Sequence, residues 1–197
     1  MDDTIRCFIA IDIPAEIQTA LCRTISQAQV NRASGFRPVR PESIHLTLNF
    51  LGDVEQAKLP GITTGLGELC NKAEPFTFQV RGLGAFPTWD RPRTIWAGLQ
   101  YPPVLADLFK LVDEFTTQAG FPGENRKFSP HLTLARVSEQ ADSVTVRQKI
   151  HALQSFAETQ FGEVRATRIT FFRSVLQPGG SVYQSLSVHP FAGQKVC

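Results

Sequence analysis

Short apolar runs alternate with stretches of helical period along this chain, and their order predicts an α+β fold. Arg6–Ile13 (RCFIAIDI) is dense in β-branched and aromatic residues and predicts a strand. After Pro14, the residues Ile17, Ala20, Leu21, Thr24, Ile25 and Ala28 recur at three- and four-residue spacing, the buried stripe of a helix. A loop containing Gly35, Pro38 and Pro41 leads into SIHLTLNFLG, a second strand. Asp53 with Gln56 resembles a capping box opening a helix toward Lys72, in which Pro60, Gly61, Gly65 and Gly67 are poor helix formers. Two strands follow at Phe76–Gly84 and Thr94–Leu99, with FPTWDRPR between them as a loop. Val104, Leu108, Leu111, Val112 and Phe115 then mark an amphipathic helix ended by Gly120. Beyond the loop FPGENRKFSP come a second HLTL strand and a helix over about Ala141–Ala157. Strands near Arg168–Leu176 and Val182–Val188, joined by a turn at Pro178-Gly179-Gly180, complete the set.

Helix, loop, HLTL strand, helix, strand, strand therefore occurs twice, with an offset of 86 residues (131 − 45) between the two motif histidines. A repeated tetrapeptide inside a repeated element order predicts two related lobes about a pseudo-twofold axis. They form one bilobal domain over residues 1–197, with internal repeats at roughly 14–100 and 101–189 and no flexible linker. Composition adds little: 42% hydrophobic and 19% charged residues are ordinary for a globular domain, and a net charge of +2 does not by itself indicate a nucleic-acid binder. Cys7, Cys22, Cys70 and Cys197 form no CxxC pair and no zinc-like spacing, and no secretory leader precedes Arg6. Reduced thiols in a cytoplasmic protein are the expectation, with Cys7 and Cys22 packed inside. No apolar run approaches the roughly 20 residues that cross a bilayer.

The chemistry lies in the repeated strand. Alternation puts His45, Thr47 and Asn49 on one face and Ile44, Leu46, Leu48 and Phe50 on the other. His131 and Thr133 repeat the pattern, with Leu132 and Leu134 turned inward. If the lobes face each other, two imidazoles and two hydroxyls converge on one cleft. In-line displacement at phosphorus needs a base for the attacking water and an acid for the leaving oxygen. Two histidines can hold those complementary states near neutral pH. Threonine hydroxyls can donate to non-bridging phosphoryl oxygens. A strained five-membered cyclic phosphate needs no metal, and the motifs lack the carboxylates of a metal site.

RCFIAIDIP, HLTLNFLG and SPHLTLAR resemble the 2H phosphoesterases, and among them the bacterial RNA 2′,3′-cyclic phosphodiesterases, historically called 2′-5′ RNA ligases. The resemblance spans nearly the whole chain. It implies two lobes of antiparallel sheet flanking a central cleft with helices outside, and metal-independent, cofactor-free hydrolysis of RNA ends to 2′-phosphomonoesters. Matched to that pattern, His45 is the proton donor to the leaving 3′ oxygen and His131 the proton acceptor that activates water. Thr47, Thr133 and Arg136 hold the phosphate, and an aromatic near the cleft stacks on a base. Strict alternation from His131 turns Arg136 to the core face, so its role requires a bulge or a strand end.

The expected partners are RNA or nucleotide 2′,3′-cyclic phosphate ends, with no membrane, and the protein is expected to be a monomer. Three loops pair cations with aromatics in a manner suited to single-stranded RNA: Arg37 and Arg40 beside Phe36, Arg91 and Arg93 after Phe86 and Trp89, and Arg126 and Lys127 beside Phe121 and Phe128. His151 and His189 lack a partner motif, and Trp96, in an apolar strand, reads as core. Reverse 2′-5′ ligation, action on a small nucleotide cyclic phosphate, and a non-catalytic RNA-end binding module are the alternatives.

Overall fold

The structure, a computed structural model, describes residues 4–123, 128–177 and 180–193. The chain runs β1 (Thr4–Asp12), α1 (Ala15–Gln27), β2 (Phe36–Pro38), β3 (His45–Glu55), α2 (Leu59–Cys70), β4 (Phe76–Phe86), β5 (Thr94–Gln100), α3 (Pro103–Gln118), β6 (His131–Val137), α4 (Ser143–Gln154), β7 (Gln160–Ala166), β8 (Arg168–Gln177) and β9 (Gly180–Pro190). The strands form one curled antiparallel sheet in the order β7-β4-β5-β6-β3-β1-β8-β9, with β2 added alongside β6. The fold is α+β, as the patterning predicts, and its two lobes are the half-sheets on either side of the β3–β6 contact.

That contact is narrow. Leu46 opposite Leu132 is its registered pair. As β3 and β6 part, β2 takes the vacated place, pairing Phe36 with Val137, Arg37 with Arg136 and Pro38 with Ala135. One face of the sheet carries the core. Ile9, Ile11, Leu46, Leu48, Leu132 and Leu134 pack there with Leu21 of α1, Leu66 of α2, Leu105 of α3 and Leu153 of α4 in a single buried cluster. All four helices thus lie behind the sheet, and its opposite face is free to carry polar side chains.

Three elements depart from the sequence patterning: α2, β7 and the short β2, which lies where the patterning predicts a loop. Asp53 and Val54 stay in β3, paired with Arg6 and Ile5, so the expected capping box at Asp53 does not form. The helix starts instead at Leu59 after a 3-10 turn, with Pro60 in its first turn, where a missing N–H is tolerated. The strand β7 was not anticipated, because its sequence QFGEVRA is polar and mostly exposed, as suits a strand at the end of a sheet. Helix α4 is capped by Asp142, whose Oδ2 accepts from the Thr145 N–H at 2.7 Å.

Candidate active site

His45 and His131 each begin a strand. The register at Leu46–Leu132, continued one residue either way, sets His45 opposite Thr133 and Thr47 opposite His131. All four side chains are half-buried on the sheet face away from the core. The pseudo-twofold axis therefore passes through the leucine pair, and each imidazole faces the threonine of the other motif. The same symmetry fixes the rings. His45 Nδ1 lies 2.8 Å from the Ser43 carbonyl oxygen and His131 Nδ1 lies 2.8 Å from that of Ser129. A carbonyl only accepts, so Nδ1 carries the hydrogen in both rings and Nε2 is left as the titrating atom.

A β-bulge sits at the same point of each motif strand. Ile9 pairs with Asn49 and Ala10 with Thr47, leaving Leu48 without an opposite residue. Ile95 pairs with Ala135 and Trp96 with Thr133, leaving Leu134 without one. Each bulge reverses the alternation beyond it. Arg136 thereby returns to the cleft face, where it is exposed, as its expected role required. In the other lobe the bulge overturns the expected facing of two residues. Asn49 is buried at 7% exposure, and its Nδ2 donates to Thr116 Oγ1 at 2.9 Å and Asp113 Oδ1 at 3.2 Å on α3. Phe50 points outward at 64% exposure.

A family model described as LigT like phosphoesterase matches the chain twice, at residues 11–96 and 100–183, each match holding one His-x-Thr strand. This chain belongs to the LigT-like phosphoesterase family. A Methanocaldococcus jannaschii protein named RNA 2′,3′-cyclic phosphodiesterase is 32% identical over 91% of this chain and 96% of its own length. A Thermotoga maritima protein of the same name is 31% identical over 95% and 96%. Among solved structures, TT0787 of Thermus thermophilus superposes with a TM-score of 0.76 at 30% identity, covering 96% of this chain and all of the other. LigT of E. coli complexed with 3′-AMP superposes at 0.74 with 27% identity, covering 95% and 98%.

Around these shared parts, this LigT-like chain surrounds its two imidazoles differently. Asp12 pairs with His45 across β1 and β3, whereas the corresponding partner of His131 on β5 is Gly98. Asp12 Oδ2 accepts from Thr170 Oγ1 at 2.7 Å and from Arg168 Nε at 3.3 Å, so the carboxylate is fixed in place. Burial pushes the pKa of both histidines below the ordinary value. Against that, Ser43 and Ser129 stabilise the protonated rings through their carbonyls. The Asp12 carboxylate further favours charge on His45, a charge on His131 opposes it, and the Arg136 guanidinium disfavours charge on His131.

Aromatic rings hold both imidazoles. Phe8 lies 4.7 Å from His45, ring centre to ring centre, and Tyr183 meets it edge-on at 5.0 Å. Phe86 meets His131 edge-on at 4.9 Å, with Trp96 at 6.4 Å. Trp96 is a half-buried cleft residue rather than the core residue its strand suggested, because the bulge at Leu134 pairs it with Thr133 on the outer face. Its indole rests against Gly84, where a Cβ would overlap the ring. The sequence pattern missed Asp12 and Tyr183. Alternation along β1 does place Asp12 with Phe8 and Ala10, but Tyr183 arrives from a distant strand with no local signal.

Of the three cation-bearing loops, Arg37 and Arg40 sit beside the motif strands, and Arg40 Nη2 donates to the Ser181 carbonyl at 3.0 Å. Arg93 lies next to β5, where its carbonyl accepts from the Val137 N–H at 2.9 Å. Arg126 and Lys127 lie outside the described residues. His151 is an exposed residue of α4, and His189 is buried with Nε2 2.8 Å from Ser187 Oγ. Among the described residues, no three His, Cys, Asp or Glu side chains gather as a metal-ligand set, and no helix is long and apolar enough to cross a membrane.

Proposed function

We propose that this protein hydrolyses RNA 2′,3′-cyclic phosphate ends to 2′-phosphomonoesters, with His45 as acid and His131 as base. The observation that carries the reading is the pair of imidazoles with identically fixed tautomers, each facing the other motif's threonine across the Leu46–Leu132 pair. The names of the relatives supply the substrate.

In the step this geometry suits, His131 Nε2 takes a proton from water as its oxygen bonds to phosphorus. The P–O3′ bond breaks, and His45 Nε2–H delivers its proton to O3′. The products are a 3′ hydroxyl and a 2′-phosphomonoester, with the extra proton now on His131 and returned through solvent. Thr47 and Thr133 donate to the non-bridging oxygens, and Arg136 offsets their charge. The assignment of acid and base follows the asymmetry in charge: Asp12 supports the cationic state of His45 and Arg136 the neutral state of His131. Burial opposes protonation of His45 in the empty cleft, and a bound phosphate anion supplies compensating negative charge. With a 5′ hydroxyl in place of water, the same step forms P–O5′ as P–O3′ breaks and gives 2′-5′ joining, for which abundant water is the competing nucleophile.

A cleft used only for binding would not need two free Nε2 atoms on opposed motifs. The decisive test is phosphorus NMR of the product with EDTA present. A 2′-phosphomonoester is expected, and H45A and H131A should each lower kcat by about 10²–10⁴, the usual worth of a general acid or base. A folded single variant with full activity would defeat the mechanism.

A further inference from the structure

Arg37 and Arg136 are direct partners across β2 and β6. Phe36 is wholly buried and Arg37 exposed, so Arg37 shares the cleft face with Arg136. Like charges placed directly opposite on neighbouring strands are destabilising. Neither guanidinium forms an ion pair or hydrogen bond with another described residue, in contrast to Arg40, which reaches both Ser181 and Glu42. The arrangement is held firmly. The Val39 N–H donates to the Leu134 carbonyl at 2.8 Å, the Ser138 N–H donates to that of Gly35 at 2.8 Å, and Asn31 and Ser34 cap the turn before β2. A three-residue strand containing proline is thus fixed by its neighbours in the one place where its arginine opposes another.

The position explains what this opposition is for. With Leu134 absorbed by the bulge, Arg136 lies two effective strand positions beyond Thr133, about 7 Å along the strand. Arg37 is its neighbour on the line where β3 and β6 diverge, outside the His–Thr quartet. We propose that Arg37, beside Arg136, forms a second phosphate subsite that takes the phosphate 5′ of the nucleoside bearing the cyclic end. An anion there relieves the repulsion and completes two charge-assisted contacts. This rests on the cyclic phosphodiesterase reading and makes Arg37 a specificity residue for phosphate-bearing substrates. The same 5′ phosphate is offered by an RNA chain and by a 5′-phosphorylated mononucleotide.

The test compares three substrates: a nucleoside 2′,3′-cyclic phosphate with a free 5′ hydroxyl, its 5′-phosphorylated form, and a dinucleotide ending in the cyclic phosphate. The wild type is expected to favour both phosphate-bearing substrates at least tenfold in kcat/KM. R37Q should cut that preference fivefold or more, and R37K should keep most of it. The preference should also shrink as salt rises. Thermal melting checks the fold: R37Q should melt no lower than wild type, because it removes a repulsion, and inorganic phosphate should raise its Tm less. A preference for the dinucleotide alone, or one that R37Q leaves intact, overturns the subsite while the hydrolytic reading stands. Failure of the wild type to open any of the three defeats both.

Discussion

In the proposed mechanism His45 acts as an acid only while it holds its proton, a state that Asp12 favours, whereas Arg136 disfavours the charged state of His131. Both imidazoles are buried enough to lie below the ordinary pKa of 6.5, so the pair loses its working proton on the acid side of that value in the free enzyme. The alkaline limb of kcat/KM, which reports the free enzyme, is therefore expected below pH 6.5, and that of kcat higher, because bound phosphate stabilises the imidazolium. Among the described residues, Asp12 is the carboxylate that acts on His45, and it favours the charged ring. D12N removes that charge while keeping an acceptor for Thr170 Oγ1. The sign follows directly: His45 falls further, and the alkaline limb of kcat/KM moves to lower pH. A pH–rate profile of D12N beside wild type checks this. An unmoved limb with reduced activity would leave Asp12 a packing role only. The histidines and threonines themselves were legible in the sequence, because a polar residue at alternate positions of an apolar strand has few structural uses. Asp12 was not, since its importance lies in a cross-strand register with His45 that local sequence does not encode.

Strand elements carry the same lesson at larger scale. Alternation identified the two motif strands and faced the first four residues of each motif correctly. It failed beyond Leu48, where Asn49 and Phe50 exchange faces. A bulge belongs to a pair of strands, and HLTLNFLG contains no sign of what β1 places opposite it. The same device brings Arg136 to the cleft, so a bulge in each motif strand buries an amide in one lobe and exposes a guanidinium in the other. Asn49 then anchors β3 to α3 through Thr116 and Asp113, directly behind the cleft face. N49A leaves the buried Thr116 hydroxyl without that donor and opens a small void, so a loss of about 1–3 kcal/mol is expected in urea unfolding. Activity per folded molecule at moderate temperature should stay within a few-fold, because Asn49 no longer faces the cleft. A collapse of kcat in folded N49A, with stability intact, would instead place Asn49 among the substrate contacts. The short β2 and polar β7 escaped the patterning for the converse reason: three residues with a proline, or seven with little apolar content, have no period to read.

Across the whole molecule, the two motifs are related by symmetry while their supporting strands are exchanged. His45 lies in a half-sheet of β3, β1, β8 and β9, so the last hairpin of the chain braces the first motif. His131 lies with β5, β4 and β7, so the β4–β5 hairpin from the first half braces the second motif. Repetition of element order reveals that two lobes exist. It cannot assign strands to them, because pairing between distant segments is settled by the sheet as a whole. The exchange has a thermodynamic consequence. A fragment over 14–100 contains β3 without β1, β6 or β8, and contains β5 without β6. Its strands would expose unpaired edges and the apolar face that α3 and α4 cover in the intact protein. We expect that fragment to show no cooperative thermal transition by circular dichroism. Co-expressed pieces 1–100 and 101–197 should recover one, since together they restore every pair in the sheet. A cooperative melt of 14–100 alone would mean that the linear repeat is a folding unit by itself. Its absence would mean that the His–Thr face exists only when both ends of the chain have met, and that each histidine depends on strands contributed by the other's repeat.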